Sequence, residues 1–284
     1  MDNGLTILVT GSTGFIGSVI TKRLIGLGYN VLTTTRTKSN VDNKSIFFLN
    51  LSKPETILNL AVNCDVIVHL GAQIGWSDKN EQTMSISNTI ASGLLANLAF
   101  KLKAKLIFAS AAIVHGIIVN KITSNSLINA DTPYGKSKLM AEELIRVSGA
   151  EYCILRIGGV FGLNGPEHLG INKAISNAIK KITPQLSGNG NGMRNYIYLW
   201  DVAEAIAYII KNNINGVHLL AGTQKITIAS MLEDICKVFI PGENLVKSSG
   251  KNIANQLIEP SKFLPNTRSF KSALKDIKIR MGAN

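Results

Sequence analysis

Apolar, β-branched runs alternate along the first half of the chain with stretches whose apolar residues recur every three or four positions. The runs predict strands at 5–10, 30–35, 45–49, 65–70, 105–110 and 152–157. The stretches between them predict helices at 14–27, 55–62, 81–101 and 133–147. Val66-Ile67-Val68-His69-Leu70 is apolar on both faces, which suits a sheet covered from both sides. Such alternation with right-handed crossovers implies an α/β fold: a doubly wound parallel sheet of Rossmann type, with a ligand crevice at the strands' carboxyl ends. After Arg156 the texture changes. Residues 158–195 are rich in Gly, Asn and Pro, with helices predicted at 170–182, 201–211 and 228–239 and a strand at 216–220.

The first predicted strand ends in Thr10-Gly11-Ser12-Thr13-Gly14-Phe15-Ile16-Gly17. A strand that turns through glycines into a helix presents unpaired N–H groups and the positive end of a helix dipole, a site suited to pyrophosphate. Gly11 permits the tight turn, Gly14 lets a phosphate approach the backbone, and Gly17 lets the helix pack closely on the sheet. The spacing is one residue longer in its first gap than the common dinucleotide fingerprint. The expected organisation is therefore a dinucleotide-binding domain over 1–157, then a small substrate lobe over 158–284 interleaved with returning Rossmann elements.

Composition narrows the class. The 284 residues are 45% hydrophobic with mean hydropathy +0.19, which describes a folded chain with a large core. No apolar run is long enough to cross a bilayer, the opening residues do not form a signal peptide, and Cys64, Cys153 and Cys236 show no C-x-x-C spacing. A cytoplasmic protein without membrane contact is expected. The net charge of +12 favours anionic partners. Residues 251–284 carry seven Lys/Arg against two Asp/Glu, an excess of 7 − 2 = +5, without interleaved aromatics, so a nucleic-acid surface is not favoured. His69, His168 and His218 lack metal-ligand spacing, and no metal is expected.

Tyr134-Gly135-Lys136-Ser137-Lys138 carries the candidate chemistry. Tyr134 and Lys138 are four apart and share one helix face, where an ammonium favours the phenolate and fits the tyrosine for proton transfer. Pro133 suits a helix start and Thr132 its cap.

These features, in this order, resemble the extended short-chain dehydrogenase/reductase superfamily, specifically the NAD(P)-dependent epimerase/dehydratase family. The likeness continues through Cys64–Ala72, Asn88, Ser110–Gly116, Leu155-Arg156 and Gly188-Asn189-Gly190 to Arg194 and Asp201-Val202-Ala203. It implies that Tyr134 is the acid/base and that Lys138 lowers its pKa and binds the nicotinamide ribose. It also implies a cofactor cradle from Gly11, Thr13, Gly14, Phe15 and Ile16, from Leu70, Gly71 and Ala72, and from Asn50 and Leu51 beside the adenine. Arg36 ends the second strand where a carboxylate normally binds the ribose of NAD; a guanidinium suits a 2′-phosphate, so NADP(H) is favoured over NAD.

The substrate implied is a nucleotide-sugar, with Arg194 on its diphosphate and Trp76 lining the crevice. Relatives carry a serine or threonine three residues before the position of Val114; here that position is Ala111, with Ser110 as the adjacent candidate hydroxyl. The reading that follows is an NADP(H)-dependent keto-reductase acting on a nucleotide-sugar. The alternatives are an epimerase of the same family, or a non-catalytic NADP-binding sensor or assembly protein that lost its chemistry with Ala111. The family habit of pairing through the two long helices implies a homodimer.

Overall fold

Ile7, Leu8 and Val9 are wholly buried, and their strand, Thr6–Thr10, lies inside a seven-stranded sheet. The computed structural model describes residues 4–42, 44–75 and 81–282. Strand order across the sheet is Gly216–Leu220, Tyr152–Ile157, Lys105–Ala111, Val66–His69, Thr6–Thr10, Asn30–Thr35 and Ile46–Phe48. Thr6–Thr10 pairs in parallel with Asn30–Thr35 on one side and Val66–His69 on the other. Chain order reverses across it, so the crevice of a doubly wound sheet opens where the glycine turn begins.

The chain divides into two units. The first comprises 1–117, 126–157 and 202–218, and the second 118–125, 158–201 and 219–284. The short segment 118–125, which the sequence reading left in the first domain, joins the second unit because Lys121–Ile122 pairs with Leu257–Ile258.

In the first unit, helix Phe15–Gly26 buries Gly17, Ile20 and Leu24, one stripe of its surface. The predicted 55–62 helix is only Glu55–Leu58. The predicted 81–101 helix is interrupted: Glu81–Met84 and Ala91–Leu102 flank a π-helical turn at Ser85–Ile90. Helix Pro133–Val147 begins as expected, with Gly135 N–H donating to the Thr132 hydroxyl (3.0 Å). Leu95, Leu106, Phe108, Ile145 and Ile154 form the centre of the core between these helices and the sheet.

The second unit is built from short pairs. Ile197–Tyr198 lies parallel to Val160–Phe161, Val246–Ser248 parallel to Gln185–Ser187, and Met193–Arg194 antiparallel to Ile226–Thr227. Gly170–Ile179 and Ile228–Phe239 are helical, the first ending three residues before the predicted boundary, where Lys181 adopts φ +63°. Helix Phe270–Met281 was not anticipated in the basic C-terminal stretch, although Phe270, Ala273, Leu274 and Ile277 give it a buried stripe at helical spacing. The Phe161 ring packs against those of Tyr198 and Phe270, with centroids 5.5 and 5.1 Å away.

Candidate active site

The glycine turn is built from close backbone approaches. Gly11 has φ +71°, and a β-carbon there would lie 2.7 Å from the amide nitrogen of Gly71. On Gly17 it would lie 2.0 Å from the Gly11 carbonyl oxygen. Gly14 N–H donates to that same oxygen (3.0 Å), and Gly14 then caps helix Phe15–Gly26 with no side chain over its end. Thr13 and Gly14 are exposed, the first helical turn carries no acidic residue, and the amides of Phe15 and Ile16 lie beyond the reach of intrahelical acceptors. Electropositive N–H groups thus stand at an exposed turn with no carboxylate in the helix's own first turn to compete for them. This cradle, which a β-carbon would fill, fits a dinucleotide pyrophosphate.

Around it, Leu70 N–H donates to the Thr10 carbonyl (3.2 Å), and a β-carbon on Gly71 would meet Leu51 Cδ1 at 2.7 Å. Leu51 therefore packs on the Gly71 backbone. Asn50 Oδ1 accepts from Ser52 N–H (3.0 Å), so one lone pair of the expected adenine acceptor closes a local turn. Arg36 is exposed just past strand Asn30–Thr35. Trp76 lies outside the described residues.

Tyr134 and Lys138 stand one turn apart on helix Pro133–Val147. The Lys138 ammonium lies 4.0 Å from the centroid of Phe108, inside the sheet-facing surface, and burial brings its pKa down to about 7 against the opposing pull of Glu142. Tyr134 departs from expectation: burial pushes the phenol up to about 12. Desolvation outweighs any help from the ammonium, which rests over the Phe108 ring.

Ser110 also departs from its predicted role. The register with Tyr152–Ile157 is regular through Ala111, so Ser110 and Ala111 point to opposite faces of the sheet. The Ser110 hydroxyl is buried and donates to Glu142 Oε1 (2.5 Å). It is a ligand of a carboxylate, whereas Ala111, half-buried, offers no hydroxyl in its place.

Glu142 is the residue that sequence reasoning missed. Its carboxylate is wholly buried, takes Arg156 Nη2 at 2.7 Å and Nε at 3.1 Å, and takes Arg146 Nη2 at 3.1 Å. Arg156 Nη1 also donates to His115 Nε2 (3.2 Å), which puts the imidazole proton on Nδ1, 2.9 Å from the Leu127 carbonyl oxygen. His115 is therefore a neutral packing residue, and burial holds its pKa below the usual value. The available signal was the continued spacing Tyr134, Lys138, Glu142. His69 is buried between the Thr10 and Ser92 hydroxyls (2.7 and 3.0 Å).

The π turn positions Asn88. Its Nδ2 donates to the Gln73 carbonyl (2.8 Å) and the Ser137 hydroxyl (3.0 Å), while Oδ1 accepts from Gln73 N–H (2.7 Å). That tripod ties the segment after Gly71 to the helix bearing Tyr134 and Lys138.

In the second unit, Gly188 and Gly190 adopt φ +71° and +70° in the loop leading to Arg194. Arg194 Nη1 donates to the carbonyls of Met193 (2.9 Å) and Ala254 (2.7 Å), which fixes its half-buried guanidinium. Asp201 accepts from the Arg268 amide (2.8 Å) and guanidinium. Trp200 packs under the Arg280 guanidinium at 3.8 Å. Among the described residues no cluster of three His, Cys, Asp or Glu side chains could hold a metal ion, and no helix is long and apolar enough to cross a membrane.

The chain is similar to proteins of known sequence and structure. A putative UDP-glucose 4-epimerase of Methanocaldococcus jannaschii is 33% identical over 255 residues, which span 81% of each chain. The structure of UDP-glucose 4-epimerase with UDP-glucose from Thermotoga maritima superposes with TM-score 0.82 at 20% identity, covering 99% of this chain and all of that one. UDP-glucuronic acid 4-epimerase from Bacillus cereus in complex with NAD gives TM-score 0.80 at 22% identity, covering 95% and 94%. At those identities the two structures show a shared fold. The family model of the NAD dependent epimerase/dehydratases matches from residue 7, in the first strand, to residue 222, and the chain belongs to that family.

Proposed function

We propose that the chain is a UDP-sugar 4-epimerase that works through a bound nicotinamide dinucleotide. The observation that carries this reading is the joint placement, in one unit, of a pyrophosphate cradle at Gly11–Gly17 and a Tyr134–Lys138 pair on the helix tied to Gln73 by Asn88. The similarity to the M. jannaschii protein supports the sugar and the position of reaction. When bound, the cofactor supplies hydride acceptance and return at the carbon bearing the hydroxyl.

The chain's own residues do the rest. Tyr134 Oη takes the proton of the sugar hydroxyl and later gives it back. A phenol near 12 is a poor base until a positive charge acts on it, and Lys138 is the buried cation one turn away. Ala111 offers no hydroxyl to the sugar oxygen, so Tyr134 must orient that oxygen alone; one missing donor costs about a hundredfold in rate. Arg194, held by two carbonyls, is the residue assigned to the substrate diphosphate in this reading.

A second reading is favoured by Arg36. Its exposed guanidinium, at the place of the usual ribose-binding carboxylate, suits NADP(H) and with it an exchangeable cofactor and a keto-reductase. Incubation with UDP-glucose or UDP-galactose, with NAD and with NADP, followed by NMR of the sugar C4 proton, tests both. Interconversion that Tyr134→Phe abolishes supports the epimerase. NADPH oxidation by a 4-keto nucleotide-sugar, without interconversion, replaces it with the reductase. Tight dinucleotide binding without any turnover would leave a non-catalytic sensor or assembly protein.

A homodimer is part of the proposal. Phe100 on helix Ala91–Leu102 and Met140 and Val147 on helix Pro133–Val147 are 57%, 55% and 78% exposed, more than isolated surface residues of this size need be. Light scattering checks it. A cytoplasmic location accords with the three buried free cysteines.

A further inference from the structure

We propose that Glu142 is a positioning residue for Lys138: its locked, buried carboxylate balances the ammonium one helical turn away and holds it beneath the dinucleotide site. This rests on the proposed function for its catalytic meaning but not for its test.

The argument begins with the place of Lys138. It is 2% exposed, lies on an aromatic face 4.0 Å away, and sits where an isolated ammonium would shed its proton. Something must hold it charged. The groups around it can be named element by element. On its own helix stand Tyr134, Glu142 and Arg146; the strand Tyr152–Ile157 brings Arg156; the strand Val66–His69 brings His69. The turn Ala112–His115 brings His115, and the π turn packs uncharged Asn88 and Thr89 onto Ser137. Glu143 on the same helix and Glu81 on Glu81–Met84, which packs against it, are exposed, whereas Glu142 is wholly buried. Burial of Lys138 and the counter-pull of Glu142 act on its proton in opposite directions, as their placement requires.

The carboxylate is fixed by four donors. Arg156 supplies two, Arg146 one and the Ser110 hydroxyl one. His115 limits the positive charge of the cluster. Its Nε2 accepts from Arg156 and its Nδ1 is spent on the Leu127 carbonyl, so the ring is neutral and adds no further cation. Removing the carboxylate would leave the Arg156 and Arg146 guanidinium groups without the acceptor they share and Lys138 without its buried counter-charge. Removing Arg146, which is on the rim with 29% of its side chain exposed, would do the opposite and free more of the carboxylate's field for Lys138.

Two variants make the test. In Glu142→Gln the ammonium of Lys138, followed by NMR of its side-chain carbon, should titrate at least one pH unit lower. The alkaline limb of dinucleotide binding should move with it, a tenfold loss of affinity per unit along that limb. Arg146→Gln should move both upward. Circular dichroism reports whether Glu142→Gln folds; if it does not, the upward movement in Arg146→Gln decides alone. Unchanged titration in a folded Glu142→Gln, or a downward movement in Arg146→Gln, overturns the proposal. If the wild-type chain turns over no sugar, the epimerase reading fails while the Lys138 titration still judges Glu142.

Discussion

Replacing Gly17 with alanine isolates a close backbone packing in the glycine turn. The added β-carbon would lie 2.0 Å from the Gly11 carbonyl oxygen, 2.8 Å from its carbon and 3.0 Å from Ser12 Cα, all of them backbone atoms without rotamers to yield. Relief requires helix Phe15–Gly26 to back away from the turn by more than an ångström. Overpacking of this kind costs about 1–3 kcal/mol and more where the neighbour is rigid. About 3 kcal/mol is the reasonable expectation here, a fall of roughly 6 °C in Tm at about 2 °C per kcal/mol.

The same retreat carries the amides of Phe15 and Ile16 off the cradle, so dinucleotide affinity should fall at least tenfold. Gly26→Ala is the matched control. It ends the same helix with nothing within 4 Å of the new carbon, and it should leave affinity unchanged and raise stability by up to about 1 kcal/mol. Thermal melts and titration of dinucleotide fluorescence read both. A Gly17→Ala protein that melts and binds like wild type would refute the account of the turn.

Asn88→Ala removes three hydrogen bonds and strands the Gln73 amide and carbonyl, for a loss of about 3 kcal/mol by urea unfolding and a looser segment after Gly71 by hydrogen exchange. Stability should rise with pH between about 3 and 6.5. Burial depresses His69 to about 3, so over that window the unfolded chain binds a proton that the folded chain refuses; the stabilisation is complete above 6.5 and is lost as pH falls. The slope should approach 1.4 kcal/mol per pH unit for this one group, and His69→Gln should flatten it in equilibrium unfolding measured across that range. Arg194→Met should weaken binding of UDP by about tenfold or more, the scale of one charge-assisted contact, without altering dinucleotide affinity. Calorimetry with each ligand separates the two.

The features legible in the sequence are those that few neighbouring residues decide. The turn at Gly11–Gly17 could be read because Gly14 and Gly17 answer steric demands made within seven residues and Gly11 a positive φ of the turn itself, and Tyr134 and Lys138 because one helical turn relates them. The buried runs around Leu8, Ile67 and Ile107 dictated the sheet. What escaped depended on distant parts of the chain. Glu142 acquires its place from Arg156 and Ser110, on two different strands, and nothing near position 142 announces them. The rise in the Tyr134 pKa came from burial, which helix spacing does not report. Ser110 was half legible: alternation already turned it from Ala111, and the regular register kept it so. The helix Phe270–Met281 was concealed by its lysines, which drew attention to charge while Phe270, Ala273, Leu274 and Ile277 kept their period.

The π turn at Ser85–Ile90 amounts to one surplus residue wound into a continuous helix. Its removal would let the winding relax to the ordinary pitch and swing everything downstream by about 100° about the axis. Leu95, Ala96 and Ala99 would rotate out of the interior, and Asn88 would lose Gln73 and Ser137 together. The length of 81–102 is therefore locked to a whole number that the fold cannot renegotiate: this stretch should tolerate many exchanges of side chain and not a single insertion or deletion.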